Sequence, residues 1–140
     1  MRIKKMAIVL LSIVLIFSVI PMSALTVNAA THSGKCGDNL TWSLDTETGV
    51  LSITGTGEME DYDDAPWDSY SDSIETVNIA DTVTSIGNCA FCDCYSLTEI
   101  TIPDSVTSIG NYAFEFCSSL TEIIIPDSVT SMMARLRSLP

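Results

Sequence analysis

Residues 97–119 read "LTEITIPDSVTSIGNYAFEFCSS", which nearly repeats the preceding "IETVNIADTVTSIGNCAFCDCYS" of residues 74–96. The two stretches are identical at 12 of 23 positions. A third, partial copy, "LTEIIIPDSVTS" at residues 120–131, matches the second at 11 of 12 positions. A fixed period of this length is typical of a solenoid, in which each repeat forms one coil and packs only against its neighbours.

Each copy contains the pattern of a short strand with one buried face. Apolar residues stand at positions 1, 4 and 6 of the copy, and a proline, Pro103 or Pro126, then ends the strand because it has no amide hydrogen to donate. The period of 23 falls within the range of about 20 to 29 for leucine-rich repeats. The pattern predicts a mostly β leucine-rich-repeat solenoid with short parallel strands on a concave face and loops or 3-10 turns on the convex face. Its interior is expected to include Phe91, Phe114, Cys94 and Cys117.

The copy at residues 97–119 resembles the BspA-like leucine-rich repeat of surface and secreted proteins of host-associated bacteria and some protists, and the resemblance covers residues 74–131. Residues 33–59, "SGKCGDNLTWSLDTETGVLSITGTGEM", followed by "APW", resemble the module that often precedes such repeats. The resemblance implies a short or truncated member of this group, a binding protein whose best-known role is adhesion to host matrix or to other cells. It implies no catalytic residues.

Residues 30–73 are predicted to form an N-terminal cap with an acidic loop. Apolar and polar residues alternate through 40–44 and 51–53 around a "DTETG" turn, which predicts a β-hairpin over residues 38–57. Such a unit would cover the apolar end of the first repeat, which would otherwise expose core and strand edges. Trp67 is the candidate plug because a large aromatic buries the most area per residue.

The first 29 residues have the pattern of a signal peptide. "MRIKK" is basic, an apolar run from Met6 to Ile20 ends before Pro21, and small residues precede a cut after Ala29. A membrane anchor needs roughly 20 apolar residues, which is more than this run provides. We therefore expect a secreted or cell-surface chain that is not inserted stably in the membrane after cleavage.

The chain is strongly acidic, and the imbalance restricts its partners. Cleavage of the leader would remove three of the six basic residues and no acid, so the formal net charge would change from −12 to about −15. Such a charge repels phosphate backbones and anionic headgroups. The composition therefore argues against nucleic acid as a partner.

Three sequence features resemble metal-binding or catalytic sites but have simpler explanations. "EMEDYDDAPWD" at residues 58–68 holds six acids but lacks the glycine and distant glutamate of an EF-hand, so it is interpreted as a solvated loop. "CAFCDC" at residues 89–94 has too few further ligands for a zinc site, and Cys94 is in phase with Cys117. His32, the single histidine, is interpreted as part of a mobile linker. We expect no metal, no cofactor and no enzymatic activity.

Five cysteines cannot all pair within one chain. Cys89 can pair with Cys92 if the turn between them lets them meet. At least one thiol then stays free unless the protein dimerises.

The candidate binding surface is the outward side of the predicted strands, as in other leucine-rich-repeat solenoids. Three strands give a patch only about 10 to 15 Å across. The expected partner is a host or cell-surface protein or a glycan. The outward residues are Thr76, Asn78, Glu99, Thr101, Glu122 and Ile124.

The repeat pattern stops after Ser131. In "MMARLRSLP", residues 132–140, Arg137 stands where the pattern requires a buried phenylalanine, and burial of an unpaired charge is costly. We expect a disordered tail and an uncovered last coil that can self-associate. The leading hypothesis is an exported recognition module. The alternatives are the N-terminal fragment of a longer cell-surface protein, whose activity, hydrolytic for example, lies in a downstream domain, and a structural spacer.

Overall fold

The computed structural model describes residues 30–132, so the predicted signal peptide and residues 133–140 lie outside the described range. Within residues 30–132, no helix has the length and apolar character needed to cross a bilayer. A 3-10 helix spans Asp68–Ser73. The strands are β1 (Thr31–Gly37), β2 (Leu40–Asp45), β3 (Val50–Gly55), β4 (Gly57–Glu58), β5 (Thr76–Ile79), β6 (Val83–Ile86), β7 (Glu99–Thr101), β8 (Ser108–Ile109) and β9 (Ser131–Met132).

The strands form two sheets. The first sheet has the order β1-β2-β3-β5-β7, and the second has the order β4-β6-β8-β9. β1, β2 and β3 pair antiparallel, whereas β3 pairs with β5, and β5 with β7, in parallel. β3 therefore occupies the place that a strand of a preceding repeat would take. Residues 30–73, which we call the N-terminal module, thus continue the stack of coils. The predicted leucine-rich-repeat solenoid is confirmed.

The core runs along the stack because equivalent positions of successive repeats are buried together. Apolar side chains in register remove one another from water, which is the main stabilising term in such an array. No polar or charged residue within 30–132 is buried. The buried sets are Ile74, Leu97 and Leu120; Val77 and Ile100; Ile79 and Ile102; Val83 and Val106; Ile86 and Ile109; Ala90 and Ala113; Phe91 and Phe114; and Cys94 and Cys117.

The N-terminal module has one strand more than the alternation predicts. β2 and β3 form the expected hairpin, and β1 pairs along β2. His32 is therefore not in a mobile linker: it lies in β1 opposite Leu44, and its ring stacks on Tyr70 with centroids 4.0 Å apart. The inward positions of β1 are occupied by His32, Gly34 and Cys36. Because only Cys36 is apolar, the sequence of β1 shows no alternation of apolar and polar residues from which the strand could be predicted.

The second sheet is not predicted from the sequence, which indicates loops or 3-10 turns outside the concave strands. Its strands β6, β8 and β9 come from equivalent positions of the three copies, and β4 of the N-terminal module pairs with β6. Met132, placed in the tail by the sequence, lies in β9 opposite Ile109. The first two repeats therefore each contribute to two ladders of backbone hydrogen bonds, whereas the third copy contributes only to the second sheet.

The third copy lacks the strand predicted at its start. Residues 120–126 form no strand, although the equivalent β5 and β7 do. Ile123 and Ile125 are only partly buried there. An end coil has a neighbour on one side only and therefore buries less apolar surface. The extended conformation is less stabilised at this position as a result.

Candidate functional site

The first sheet has one face on the core and one in solvent. On the solvent face, the strand registers align short polar side chains directly across the sheet, from Ser33 to Ser43 to Ser52 to Asn78 to Thr101. Along these strands, the polar residues of the solvent face alternate with buried residues of the opposite face, as expected of a sheet with one covered face. We call these five residues the central row.

Two further rows flank the central row. One contains Thr31, Asp45, Val50, Thr76 and Glu99 in register, and the other contains Lys35, Thr41 and Thr54. The hydroxyl oxygens of Thr41 and Thr54 are 3.1 Å apart and share a hydrogen bond. The three rows together form what we call the polar face. It crosses five strands and is therefore about 20 Å wide.

The structure places four of the six predicted binding residues on this face. Thr76 and Asn78 lie on β5, and Glu99 and Thr101 lie on β7. Glu122 and Ile124 follow β7 in the segment that forms no strand, so they extend no ladder; both are exposed, Ile124 at 74%.

Sequence reasoning missed the outward residues of the N-terminal module. The alternation within residues 40–44 and 51–53 already separates outward Thr41, Ser43 and Ser52 from inward neighbours. What that alternation does not reveal is the parallel pairing of β3 with β5, which places these residues beside the repeats.

An aromatic stack joins the N-terminal module to the repeats. The ring of Phe91 stacks on Phe114 at 5.6 Å between centroids and on Trp67 at 5.8 Å. Trp67 also contacts Trp42 and Tyr62 edge-to-face, and its indole nitrogen donates to the carbonyl oxygen of Ala90 at 2.9 Å. Trp67 thus stands where the phenylalanine of a preceding repeat would stand.

The buried thiols of the repeats are protonated packing groups. Burial, and secondarily the neighbouring thiol of Cys117, raises the pKa of Cys94 far above its ordinary value. Burial likewise raises the pKa of Cys117 to about 12, and its thiol donates to the carbonyl oxygen of Phe91 at 3.0 Å. Burial raises the pKa of Cys36 to about 11. Because the thiolate is the reactive species, these three are poor nucleophiles at neutral pH.

The acidic loop supplies a structural carboxylate. Within residues 30–132, no three histidine, cysteine, aspartate or glutamate side chains are arranged to hold a metal ion. Asp61 instead accepts the backbone N–H of Asn88 at 2.8 Å, and the side-chain oxygen of Asn88 accepts the backbone N–H of Asn111 at 2.6 Å. The N-terminal module thereby begins a ladder of side-chain acceptors that Asn88 of the first repeat continues.

The sequence of the repeats matches a known family. Residues 69–136 match the family model described as "BspA type Leucine rich repeat region (6 copies)". The repeats are BspA type leucine-rich repeats. The resemblance predicted from residues 74–131 is therefore confirmed, and the match begins five residues before the first predicted copy.

The chain is similar to solved bacterial leucine-rich-repeat proteins. A leucine-rich repeat protein from Eubacterium ventriosum is 31% identical, with a TM-score of 0.63 over 74% of this chain and 28% of that one. The T. pallidum Leucine Rich Repeat protein is 20% identical, with a TM-score of 0.50 over 71% of this chain and 53% of that one, which supports the fold alone. A leucine rich cell surface protein from Faecalibacterium prausnitzii is 29% identical, with a TM-score of 0.48 over 72% of this chain and 32% of that one.

The chain is shorter than the solved proteins it resembles. It spans 28% of the E. ventriosum protein and 53% of the T. pallidum protein. A search of curated proteins gave no match.

Proposed function

We propose that this chain is an exported, non-enzymatic recognition module that binds a protein or glycan through the polar face. The observation that carries the proposal is the register of the first sheet, which joins outward residues of the N-terminal module and of the BspA type repeats into one surface. Solenoid repeat proteins use the extended concave surface of the stack to bind partners. The continuous face extends that use to five strands.

The chemistry of the polar face suits a partner rich in hydroxyl and amide groups. Hydroxyl and amide side chains both donate and accept hydrogen bonds, and the short side chains of the central row let a partner approach the sheet closely. The three rows, of which two cross five strands and one crosses three, offer roughly 300 Å², which is below the ~800 Å² per partner of a standard protein interface. We therefore favour a glycan chain, or an extended segment of a larger protein, as the bound element.

Charge limits the partner further. Asp45 and Glu99 flank the central row on one side, and Lys35 lies on the other. Together with the formal net charge of −12, this distribution favours neutral or basic partners over acidic ones.

Export and the absence of catalysis rest on separate observations. The signal-peptide pattern of residues 1–29 supports secretion or display at the cell surface. The raised pKa values of the buried thiols support a non-enzymatic role, since they keep potential nucleophiles protonated. Neither the thiols nor the acidic loop lies on the polar face.

The test is a binding screen against host matrix proteins and a glycan array, followed by variants of the central row. Asn78→Ala combined with Thr101→Ala should reduce binding at least tenfold, since a typical hot-spot truncation costs more than 1 kcal/mol. Ser118→Ala combined with Ser119→Ala, two exposed residues outside the strands, is the matched control. Binding that is equal for both double variants would refute the polar face as the site.

A second candidate function follows from the length of the relatives. Because the chain spans 28% and 53% of two solved proteins, we also propose that it acts as the N-terminal part of a longer cell-surface protein whose other domains carry the activity. Reading the coding DNA beyond codon 140 tests this proposal. A continuing "IGNYAF" pattern in another frame is expected, and unrelated sequence in all frames would contradict it.

A further inference from the structure

Two cysteines bracket a turn of the first BspA type repeat. The backbone N–H of Cys92 donates to the carbonyl oxygen of Cys89 at 3.3 Å, which closes a turn of four residues. Such a turn holds its first and fourth Cα atoms within about 7 Å, and disulfides join Cα atoms about 4.4 to 6.8 Å apart. The two thiols lie near enough for each to influence the pKa of the other.

The other cysteines are placed differently. Cys36, Cys94 and Cys117 are at most 2% exposed, whereas Cys89 and Cys92 are both partly exposed. The thiol of Cys117 is engaged by the carbonyl oxygen of Phe91. A reagent in solution therefore reaches the pair in the turn before it reaches the buried thiols.

Cys89 also lines an open depression of about 460 Å³, large enough to admit a small reagent. Asp61 and Asp63 line the same depression. Asp93 and Glu115 add negative charge beside both thiols. A cationic reagent is therefore attracted to this site and an anionic one is repelled.

We propose that Cys89 and Cys92 are a redox pair that forms a disulfide across this turn by exchange with a small cationic disulfide. Cys89 is the attacking thiol: its ionised sulfur takes one sulfur of the reagent and releases the other half as a thiol. Cys92 then loses its proton to solvent, and its sulfur attacks Cys89 and releases the second half. Two cysteine thiols are oxidised and one reagent disulfide is reduced to two thiols.

The order of attack follows from the hydrogen bond between the thiols. Burial raises the pKa of Cys89, but the hydrogen bond from Cys92 opposes that rise. Burial and the carboxylate of Asp93 raise the pKa of Cys92 to about 12. Cys89 is thus the first of the two to ionise, and the exchange rate should increase as the pH rises above neutrality, because the thiolate is the attacking species.

The crosslink would fix the turn that presents Phe91 to the aromatic stack. Cys89 has φ of +50°, a left-handed conformation, and the N–H groups of Cys89, Phe91 and Asp93 donate to carbonyl oxygens of the next coil. A bond between the ends of this turn restricts the unfolded chain and leaves the native contacts in place. Oxidation should therefore increase the melting temperature.

The experiment uses the purified full chain, reduced and then incubated with cystamine, a cationic disulfide. After denaturation and alkylation, intact mass should show five alkyl groups on the reduced chain and three on the oxidised chain, since the sequence has five cysteines. Cys92→Ser should retain half of a cystamine molecule on Cys89, and Cys89→Ser should gain the same adduct on Cys92 more slowly, because Cys92 is the second of the two to ionise. Oxidised glutathione, which is anionic, should react several-fold more slowly than cystamine.

Two results would overturn the proposal. One is a chain that still takes five alkyl groups after cystamine. The other is a Cys89→Ser variant that still loses two alkylation sites without an adduct, because that bridge would join other thiols. The melting temperature of the oxidised chain provides a second readout: an increase in the native sequence that is absent in both serine variants supports the bridge, and an equal change in all three contradicts it.

Discussion

Trp67 makes several of the contacts between the N-terminal module and the repeats. It is 1% exposed, stacks on Phe91, meets Trp42 and Tyr62 edge-to-face, and donates a hydrogen bond to Ala90. Aromatic pairs of this kind contribute about 0.5 to 1.5 kcal/mol each beyond the area they bury. One residue thus couples the cap to the first coil.

Trp67→Ala should lower the free energy of unfolding by about 3 to 5 kcal/mol, because it removes a buried aromatic and leaves a cavity. Trp67→Phe should cost less, since it keeps a ring in the stack and loses the indole hydrogen bond. Urea unfolding followed by circular dichroism measures both, with Ser118→Ala as the surface control. A Trp67→Ala variant that unfolds at the same urea concentration as the control would remove the coupling role.

The buried thiols should make the folded state less stable at alkaline pH. The pKa of Cys36 is raised to about 11 and that of Cys117 to about 12 in the folded chain, chiefly by burial, whereas unfolded thiols ionise near 8.5. The unfolded chain therefore loses these protons first, and the stability that the protonated thiols contribute is complete below about pH 8.5 and is lost as pH rises through the folded values.

Melting temperatures measured from pH 7 to about pH 11 in reducing buffer check this expectation, which is a steady decline above about pH 9. Cys117→Ala should be less stable at neutral pH but show a shallower decline, because one titrating thiol is gone. An identical alkaline slope in the two proteins would show that other groups cause the decline.

At the scale of elements, the repeat pattern predicts the strands of the first sheet but not the full extent of the stack. β5 and β7 follow from apolar positions two residues apart that recur every 23 residues. β8 and β9 have two residues each, which is too short for any alternation to appear. The polar face depends on the register between β3 and β5, and that register is set by packing of Leu51 beside Val77 and Ile53 beside Ile79.

The junction between the cap and the repeats also depends on the side-chain ladder that begins at Asp61. Asp61→Ala removes the acceptor for the Asn88 N–H and should cost about 1 kcal/mol, the typical net contribution of one hydrogen bond. Asp61→Asn keeps the oxygen and reproduces the residue used by the next two coils, so it should be nearly neutral. Chemical denaturation of the two variants side by side measures the difference. Equal losses would indicate that charge, and not the ladder, is what Asp61 contributes.

At the scale of the whole molecule, the two ends of the stack differ. The N-terminal end is closed by β1, β2 and the packing of Trp67, and Leu40, Leu44 and Trp42 are at most 5% exposed. At the other end, β9 is one of the two edge strands of the second sheet, and Met132 is 41% exposed. A partly covered end coil with an edge strand is a template for pairing with another chain.

We propose that the chain self-associates through this end, and that its acidity opposes the association. Sedimentation velocity should show a weight-average mass that increases with protein concentration and increases further with salt, because salt screens the repulsion between chains of formal net charge −12. Met132→Glu combined with Ile124→Glu changes two exposed side chains at this end and should keep the chain monomeric. Ser33→Glu combined with Ser43→Glu adds the same charge at the opposite end of the first sheet and should leave association close to that of the native sequence, so equal suppression by both double variants would assign the effect to net charge alone.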